Sequence, residues 1–386
     1  MRAVDDVRAM LAGVDPAATA VELPDARRRE QDRQRIMRSA AQPAPAGAGT
    51  PRRSPVRRRA VLAGALALGA VVTSVVVPRL GGQPDAPILG STGGREGDVV
   101  RSAPALLLAA AARTETAAPA TVGRYWLAER KSGGLVQVGP AANRYVVRVS
   151  NRHDLWLSTV PADRSGLVDQ HLGAAPATGA DEAAWKRDGS PSRWVLDPRS
   201  RREYTLTAAA GKLRADLLYT DFGWSFETGA RSMKVKDMLA MPTEPAALRR
   251  ELLALRPAEA DADDPTWLYK AGMQLLMGLP VPPKVRAAAY RILSDLPGMR
   301  ALGPMEDPSG RLGETIARID RSPLTERTGP VEEILVFDPK TGTALATMRR
   351  LLQPQGTAAW AKPGTIISYE ILTNAGWTAA TPPRSG

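Results

Sequence analysis

The side chains best suited to metal binding or catalysis in this sequence are its two histidines and the acids next to them. His153 is followed directly by Asp154, and Asp169 stands two residues before His171. Two imidazoles and two carboxylates can bind a metal ion, but this spacing matches no recognised ligand motif. Exposed loops are therefore predicted for both histidines, with His153 at the tip of a hairpin. Neither a metal site nor a cofactor is predicted.

A serine hydrolase would need a serine held against one of these histidines. Ser158 and Ser165 are the candidates for such a nucleophile. The sequence has no G-x-S-x-G turn of the kind that exposes a nucleophilic serine, and it has no Walker loop or dinucleotide fingerprint. It also contains no cysteine, which excludes thiol nucleophiles and thiolate zinc sites. No catalytic residue is predicted, and an envelope hydrolase is kept as the alternative function.

Two pairs of neighbouring carboxylates could suggest glycoside hydrolysis. They are Glu306-Asp307 and Glu332-Glu333. A glycosidase holds two carboxyl groups roughly 5–9.5 Å apart across a cleft, whereas neighbours on a strand point to opposite faces. The segment from Gly310 to Gly313 is too short to cradle a phosphate and is predicted to be a turn.

Tryptophans and methionines are the candidates for an apolar ligand pocket. Trp126, Trp156 and Trp194 fall on predicted strands, where they could line one face of a sheet. Five methionines could complete an adaptable pocket with them: Met233, Met238, Met241, Met273 and Met277. The alternative is that all of these side chains fill the core between sheet and helices.

Strands and helices of one domain, residues 98–386, must position these candidates. A helix is predicted over 103–114, and three more begin near Thr243, Asp264 and Pro282. Alternating apolar and polar segments predict the strands: 124–130, 135–139, 144–150, 154–160, 192–197, 202–207, 217–227, 314–320, 332–338, 343–351 and 365–372. The segment 161–183 between them is predicted to be a loop.

The order of these elements predicts the fold class. Strands that follow one another through short loops pair antiparallel, and helices inserted between two groups of strands must cover one face of the sheet. The predicted class is α+β: a curved antiparallel sheet, or half-barrel, with helices on its concave side, preceded by one transmembrane helix.

The transmembrane helix is predicted over residues 60–77. These 18 positions carry no charge and, at about 1.5 Å per residue, approach the ~30 Å thickness of a bilayer core. Five arginines stand between residues 52 and 59, and one, Arg79, follows Pro78. This asymmetry predicts an uncleaved signal anchor in the cell membrane, with the N-terminus in the cytoplasm and the C-terminal domain outside.

The rest of the N-terminal region consists of three segments that differ in composition. Residues 1–40 are predicted to be a helical cytoplasmic tail, 41–59 a linker rich in proline and arginine, and 78–97 a flexible spacer. The whole chain has 386 residues and a net charge of +12, of which residues 1–59 contribute 13 arginines and 7 acids. All 18 aromatic residues follow residue 124, so the basic tail lacks the stacking side chains typical of nucleic-acid binding. No nucleic-acid partner is predicted.

Four ordered segments carry a resemblance to a known family: 240–252, 267–300, 306–317 and 333–346. Together they resemble single-pass membrane-anchored proteins of high-GC Gram-positive bacteria, which are often encoded beside extracytoplasmic-function sigma factors. The order of strands and helices is also similar to the half-barrel of LolA and of RseB. The family supplies no catalytic residues for this chain.

The resemblance implies a non-catalytic extracytoplasmic domain with a binding or sensory role in a sigma-factor pathway. Its expected ligand is a lipid or an envelope protein, and residues 1–59 could contact a cytoplasmic regulator. This tail has no histidine or cysteine, so it lacks the zinc motif of zinc-binding anti-sigma domains. A structural envelope protein with a filled core is a further alternative.

Overall fold

The described residues of the computed structural model are 102–196, 205–220, 222–226, 231–257, 263–320 and 327–383. The predicted tail, linker, membrane segment and spacer all lie outside these residues. Within the described ranges, no helix is both long enough and apolar enough to cross a bilayer.

Strands dominate the described part of the chain. In chain order they are β1 (Tyr125–Val138), β2 (Tyr145–Ser158), β3 (Arg164–Pro176), β4 (Arg193–Val195), β5 (Thr205–Thr207), β6 (Arg214–Thr220), β7 (Arg300–Glu306), β8 (Leu312–Asp320), β9 (Val331–Phe337), β10 (Ala344–Leu351) and β11 (Ile366–Thr378). Nine of them form one sheet in the order β6-β3-β2-β1-β11-β10-β9-β8-β7, while β4 and β5 pair separately. All pairs are antiparallel and the large sheet is not closed.

The large sheet consists of two meanders joined by their first and last strands. β1 pairs with β11 from Tyr125 opposite Thr378 to Gly134 opposite Ser368. A bulge after Glu129 leaves one extra residue in β11, which bends the strand locally. The two ends of the described chain therefore meet in the middle of the sheet.

The described residues also form six α-helices. They are α1 (Ala103–Glu115), α2 (Gly179–Arg187), α3 (Val235–Leu239), α4 (Pro245–Ala254), α5 (Asp264–Leu276) and α6 (Pro283–Ser294). Ser102 caps α1 by accepting from the Ala105 amide, and Asp263 caps α5 by accepting from the Thr266 amide. The α+β class with a large antiparallel sheet is thus confirmed.

The main apolar core lies between the helices and one face of the sheet, here called the helix-covered face. Trp126 of β1 and Leu155 of β2 face this core, together with Leu268 of α5 and Leu293 of α6. The middle of α6 is buried almost all round, as expected for a helix enclosed by other elements.

A second apolar cluster lies on the opposite face, around Ile334, Val336 and Met348. The hairpin between β7 and β8 reaches back across the sheet: Arg311 donates to the carbonyls of Leu345 in β10 and Leu372 in β11 at 2.9 and 3.1 Å. Arg311 thereby ties the turn between β7 and β8 to two strands at the centre of the sheet.

Three local predictions were wrong. The segments 144–150 and 154–160 are one strand, β2, without a hairpin between them. The predicted strands 124–130 and 135–139 likewise join into β1. The segment 161–183 holds β3 and the start of α2. In each case pairing with neighbouring strands overrides the glycine and polar residues that suggested a break.

Candidate functional site: a buried polar row

Six polar side chains from four strands lie side by side on the helix-covered face, and we call them the polar row. They are Asp169 of β3, His153 of β2, Arg130 and Ser132 of β1, and Ser368 and Glu370 of β11. Asp169 is opposite His153, His153 is opposite Arg130, and Ser132 is opposite Glu370. The row therefore crosses the centre of the sheet.

The period of the strands puts these residues on the same face as the apolar core. In β2, His153 and Asn151 share the helix-covered face with apolar residues beyond them, Val147 and Val149 before and Leu155 and Leu157 after. Every second residue of a strand faces the same way. The polar row thus separates two apolar regions of one face.

His153 forms hydrogen bonds at both ring nitrogens. Its Nδ1 lies 2.6 Å from Oδ1 of Asp169, and its Nε2 lies 2.9 Å from Oγ of Ser132. Because a carboxylate only accepts, the neutral imidazole carries its proton on Nδ1 and accepts the Ser132 hydroxyl at Nε2. This is the order of groups that activates serine in hydrolases, although Ser132 is only 2% exposed.

Arg130 and Glu370 form a buried ion pair next to this array, with 3.3 Å between Nε and Oε1. Arg130 also donates to the Met277 carbonyl, from Nη2 at 2.8 Å. Burial raises the pKa of the Glu370 carboxyl, and the nearby Arg130 and His153 lower it by less. Nη1 of Arg130 and Oγ of Ser368 have no hydrogen-bond partner among the described residues.

Of the four metal-site candidates, His153 and Asp169 are in contact, and the other two lie elsewhere. Asp154 lies on the opposite face of β2 from His153, where it accepts from Arg152. Burial raises the pKa of Asp154, and the hydrogen bond from Arg152 opposes this rise. His171 contacts Asn151 Oδ1 and the Thr207 carbonyl.

The predicted loop positions of the histidines were wrong, and neither of the candidate serines is hydrogen-bonded to a histidine. His153 and His171 both lie within strands. Ser165 accepts from the amide of Ser158, and the Ser158 hydroxyl donates to the Val160 carbonyl. The serine that does contact His153, Ser132, was missed because β1 was divided at its glycines.

The side chains of Glu332 and Glu333 point to opposite faces of β9, as predicted for neighbours on a strand. Glu332 is fully buried on the face away from the helices, in ion pairs with Arg300 and Arg350. Its neighbour Glu333 faces the other way, 4.0 Å from Arg349. Asp307 forms a turn, in which it accepts from the amide of Ser309 at 2.8 Å. None of these contacts creates a two-carboxylate cleft.

The three candidate tryptophans do not share a face. Trp126 packs in the main core, Trp156 packs on the opposite face against Tyr125, and Trp194 lies in β4. The five candidate methionines are all buried in the main core. Within the described residues, the filled-core alternative therefore accounts for these side chains.

A cavity of about 290 Å³ lies where β1, β2 and β11 meet at the bulge. Its lining residues are Glu129, Arg130, Lys131, Arg152, Asp154 and Thr373. Arg152 pairs with both Glu129 and Asp154, and Arg130 pairs with Glu370. Four of the five charged side chains in the lining are therefore held in ion pairs, and Lys131 is the fifth.

Two comparisons of the sequence with known proteins found no match. No protein-family model matches the sequence, and no curated protein is significantly similar to it. The argument for function therefore depends on the geometry of the polar row.

Proposed function

We propose that this chain is a single-pass membrane protein whose described domain is an extracytoplasmic binding or sensory domain without catalytic activity. The ligand is a lipid or an envelope protein, and the role is regulation in a sigma-factor pathway. The family resemblance of segments 240–252, 267–300, 306–317 and 333–346 supports the regulatory part of this proposal.

The observation that carries the binding function is the incomplete pairing of Arg130. This residue is 2% exposed, yet its Nη1 has no partner among the described residues. Buried polar groups in folded proteins are almost always hydrogen-bonded, and a buried charge with an open donor is costly. Besides its contacts with Glu370 and Met277, Arg130 thus keeps a donor to which a ligand oxygen could bind, and this supports a binding role.

The order of the elements along the chain supports a half-barrel with the helices on its concave side. The helices that cover one face, α4 to α6, come from the insertion between the two meanders. This arrangement is the fold-level similarity to LolA and RseB.

The sequence supports the membrane anchor. The uncharged segment 60–77 follows a cluster of five arginines, which favours a cytoplasmic tail. The same arginines attract anionic lipids, at about 1 kcal/mol per charge. Residues 1–59 are then available to contact a cytoplasmic regulator.

Native mass spectrometry of the full chain, purified from bacteria in a neutral detergent, tests the binding function. One bound molecule per chain that survives removal of the detergent, and is released by organic extraction, would identify a lipid ligand. A clean apo mass would direct the search to envelope proteins by crosslinking in intact cells. Absence of both a bound molecule and a crosslinked partner would favour a structural protein and contradict the proposal.

An envelope hydrolase is the second candidate, favoured by the contact of Ser132 with His153 and of His153 with Asp169. A small fluorophosphonate would then phosphonylate Oγ of Ser132 with loss of fluoride. The adduct, found by peptide mass spectrometry, would disappear in His153→Gln and persist in Ser158→Ala. A folded protein that forms no adduct at Ser132 would dismiss the hydrolase.

A further inference from the structure

Four charged side chains meet on the face of the sheet opposite the helix-covered face, here called the outer face. They are Glu129 and Lys131 of β1, and Arg152 and Asp154 of β2. Glu129 lies opposite Asp154, and Lys131 lies opposite Arg152. Two acids therefore face each other, with two bases facing each other beside them. Like charges directly opposite each other destabilise a pair of strands, so stability alone does not favour this arrangement.

Only part of this charge is balanced within the protein. Arg152 lies 2.6 Å from Asp154 and 3.4 Å from Glu129. Glu129 also accepts from Nδ2 of Asn374 at 3.0 Å, but a carboxylate has about four acceptor positions. The Lys131 ammonium has no hydrogen-bond or ion-pair partner among the described residues. An unpaired cation and a carboxylate with open acceptor positions thus stand two residues apart on one strand, with roughly 7 Å between their Cα atoms.

The bulge between β1 and β11 provides space beside these two groups. Its extra residue is Thr373, whose hydroxyl donates to the Glu129 carbonyl at 3.0 Å. The cavity of about 290 Å³ at the bulge is lined by both residues and by Lys131. This volume is close to the lower end of the range for small-molecule sites. Bulges are frequent next to functional sites, where they redirect side chains.

The charge balance of the cavity favours a ligand without net charge. The two bases and the two acids of the outer face cancel. The fifth charged lining residue, Arg130, is balanced by Glu370 on the helix-covered face. A simple anion would be attracted by the bases and repelled by the acids, and a simple cation would experience the reverse. A zwitterion presents each of its charges to an opposite one.

We propose that the cavity at the bulge binds a small zwitterion, an α-amino acid. Its carboxylate accepts from the Lys131 ammonium, and its ammonium donates to the Glu129 carboxylate. The ligand thereby supplies the partner that Lys131 lacks. This site is on the outer face, so it is additional to the lipid or envelope-protein ligand and does not depend on it.

Thermal unfolding of the full chain in a neutral maltoside detergent, followed by tryptophan fluorescence, tests the proposal. The zwitterions are L-alanine, L-glutamine and L-leucine, which differ in size. Propionate and L-alaninamide keep the alanine skeleton but carry only one charge each. At least one amino acid should raise the Tm in a saturable manner within the millimolar range, since exposed ion pairs are weak. Propionate and alaninamide should not, because each leaves one of the two protein charges without a partner.

Variants locate the site. Lys131→Met removes an exposed cation that has no partner among the described residues, so it should fold like the wild type and bind the amino acid at least tenfold more weakly. Glu129→Gln should weaken binding to a similar extent. Lys284→Met is the matched control, because it removes the same charge from an exposed position in α6, which packs on the helix-covered face. This variant should bind like the wild type.

Three results would overturn the proposal: no saturable response to any of the amino acids, an equal response to propionate or alaninamide, or unchanged binding in Lys131→Met or Glu129→Gln. Equal weakening by Lys131→Met and Lys284→Met would show an effect of net charge and dismiss the site as well. None of these results bears on the lipid or envelope-protein ligand, which native mass spectrometry tests separately.

Discussion

Asp307 organises the turn between β7 and β8 through four hydrogen bonds to one side chain. Its Oδ1 accepts from the amide and hydroxyl of Ser309 and from the amide of Arg311, and its Oδ2 accepts from Nε of Arg311 at 2.7 Å. Burial alone would raise the pKa of this carboxyl, but the bonds from Ser309 and Arg311 outweigh it and lower the pKa. Arg311 is thereby aimed at the carbonyls of β10 and β11.

Asp307→Asn should lower the free energy of unfolding by about 1–3 kcal/mol at pH 7, because hydrogen bonds to a charged acceptor are lost. A lowered carboxylate pKa stabilises the folded state above the ordinary aspartate value, and this contribution is lost as the pH falls through the folded pKa. The difference between wild type and variant should therefore shrink below about pH 4. Urea denaturation at pH 7 and pH 3 measures it, and an equal difference at both would contradict the role of the charge.

The turn between β9 and β10 fixes the second meander to two helices. The carbonyl of Gly342 accepts from the hydroxyl of Tyr290 in α6, at 2.6 Å, and from that of Thr114 in α1. Gly342 has a φ of +72°, and a Cβ there would lie 2.6 Å from the carbonyl oxygen of Ala110. Only glycine allows both this backbone conformation and this close approach of turn and helix.

Gly342→Ala should destabilise the fold by about 3 kcal/mol or more, because the left-handed backbone is strained and the turn must move away from α1. Gly310→Ala is the matched control: its φ is +83°, but nothing lies within 4 Å of an added Cβ. This variant should lose only the free energy of the strained left-handed backbone, about 1–2 kcal/mol of stability. Thermal and urea unfolding of both variants separate the two effects, and equal losses would show that the turn does not depend on its contact with α1.

At the scale of the molecule, the proposed arrangement places residues 1–59 and the described domain on opposite sides of a membrane. The charge asymmetry around residues 60–77 supports this orientation. Because the chain contains no cysteine, single introduced cysteines report their location without background.

In intact cells, a membrane-impermeant maleimide should label Ala118→Cys, which lies at an exposed position after α1. Ala46→Cys, in the predicted cytoplasmic linker, should be labelled only after the membrane is permeabilised. Labelling is read as a mass shift on a gel, and the cysteine-free wild type is the control. Labelling of Ala46→Cys in intact cells, or of both variants only after permeabilisation, would reject the orientation.

Sequence patterns were sufficient to predict the elements that have a clear apolar period and ends marked by proline or turn residues. The helix that begins at Pro283 and the strands β8 to β10 were predicted close to their observed bounds, since proline and turn residues mark their ends. The start of β11 was predicted as well, but the strand continues to Thr378, six residues past its predicted end.

The polar row could not be found in this way. Gly133 and Gly134 divided β1 in the prediction, although β2 and β11 pair across both. Polar residues at 151–153 suggested a turn in β2, whereas Asn151 and His153 are partners of Ser132 and Arg130 on the neighbouring strand. Local propensity does not report such long-range pairing. With the strands known, the interruption of the apolar period at His153 would have marked the site.

The pairing of β1 with β11 has a consequence for how the chain folds. About 250 residues separate Tyr125 from its partner Thr378, and contacts between residues so far apart in sequence slow folding, because a long loop must close before they form. Until β11 is present, β1 and β10 each leave an unpaired edge, which is open to pairing with another chain. The last strand of this sheet to be synthesised is the one that joins its two halves, so chains that are nascent or truncated before β11 are the state most exposed to aggregation.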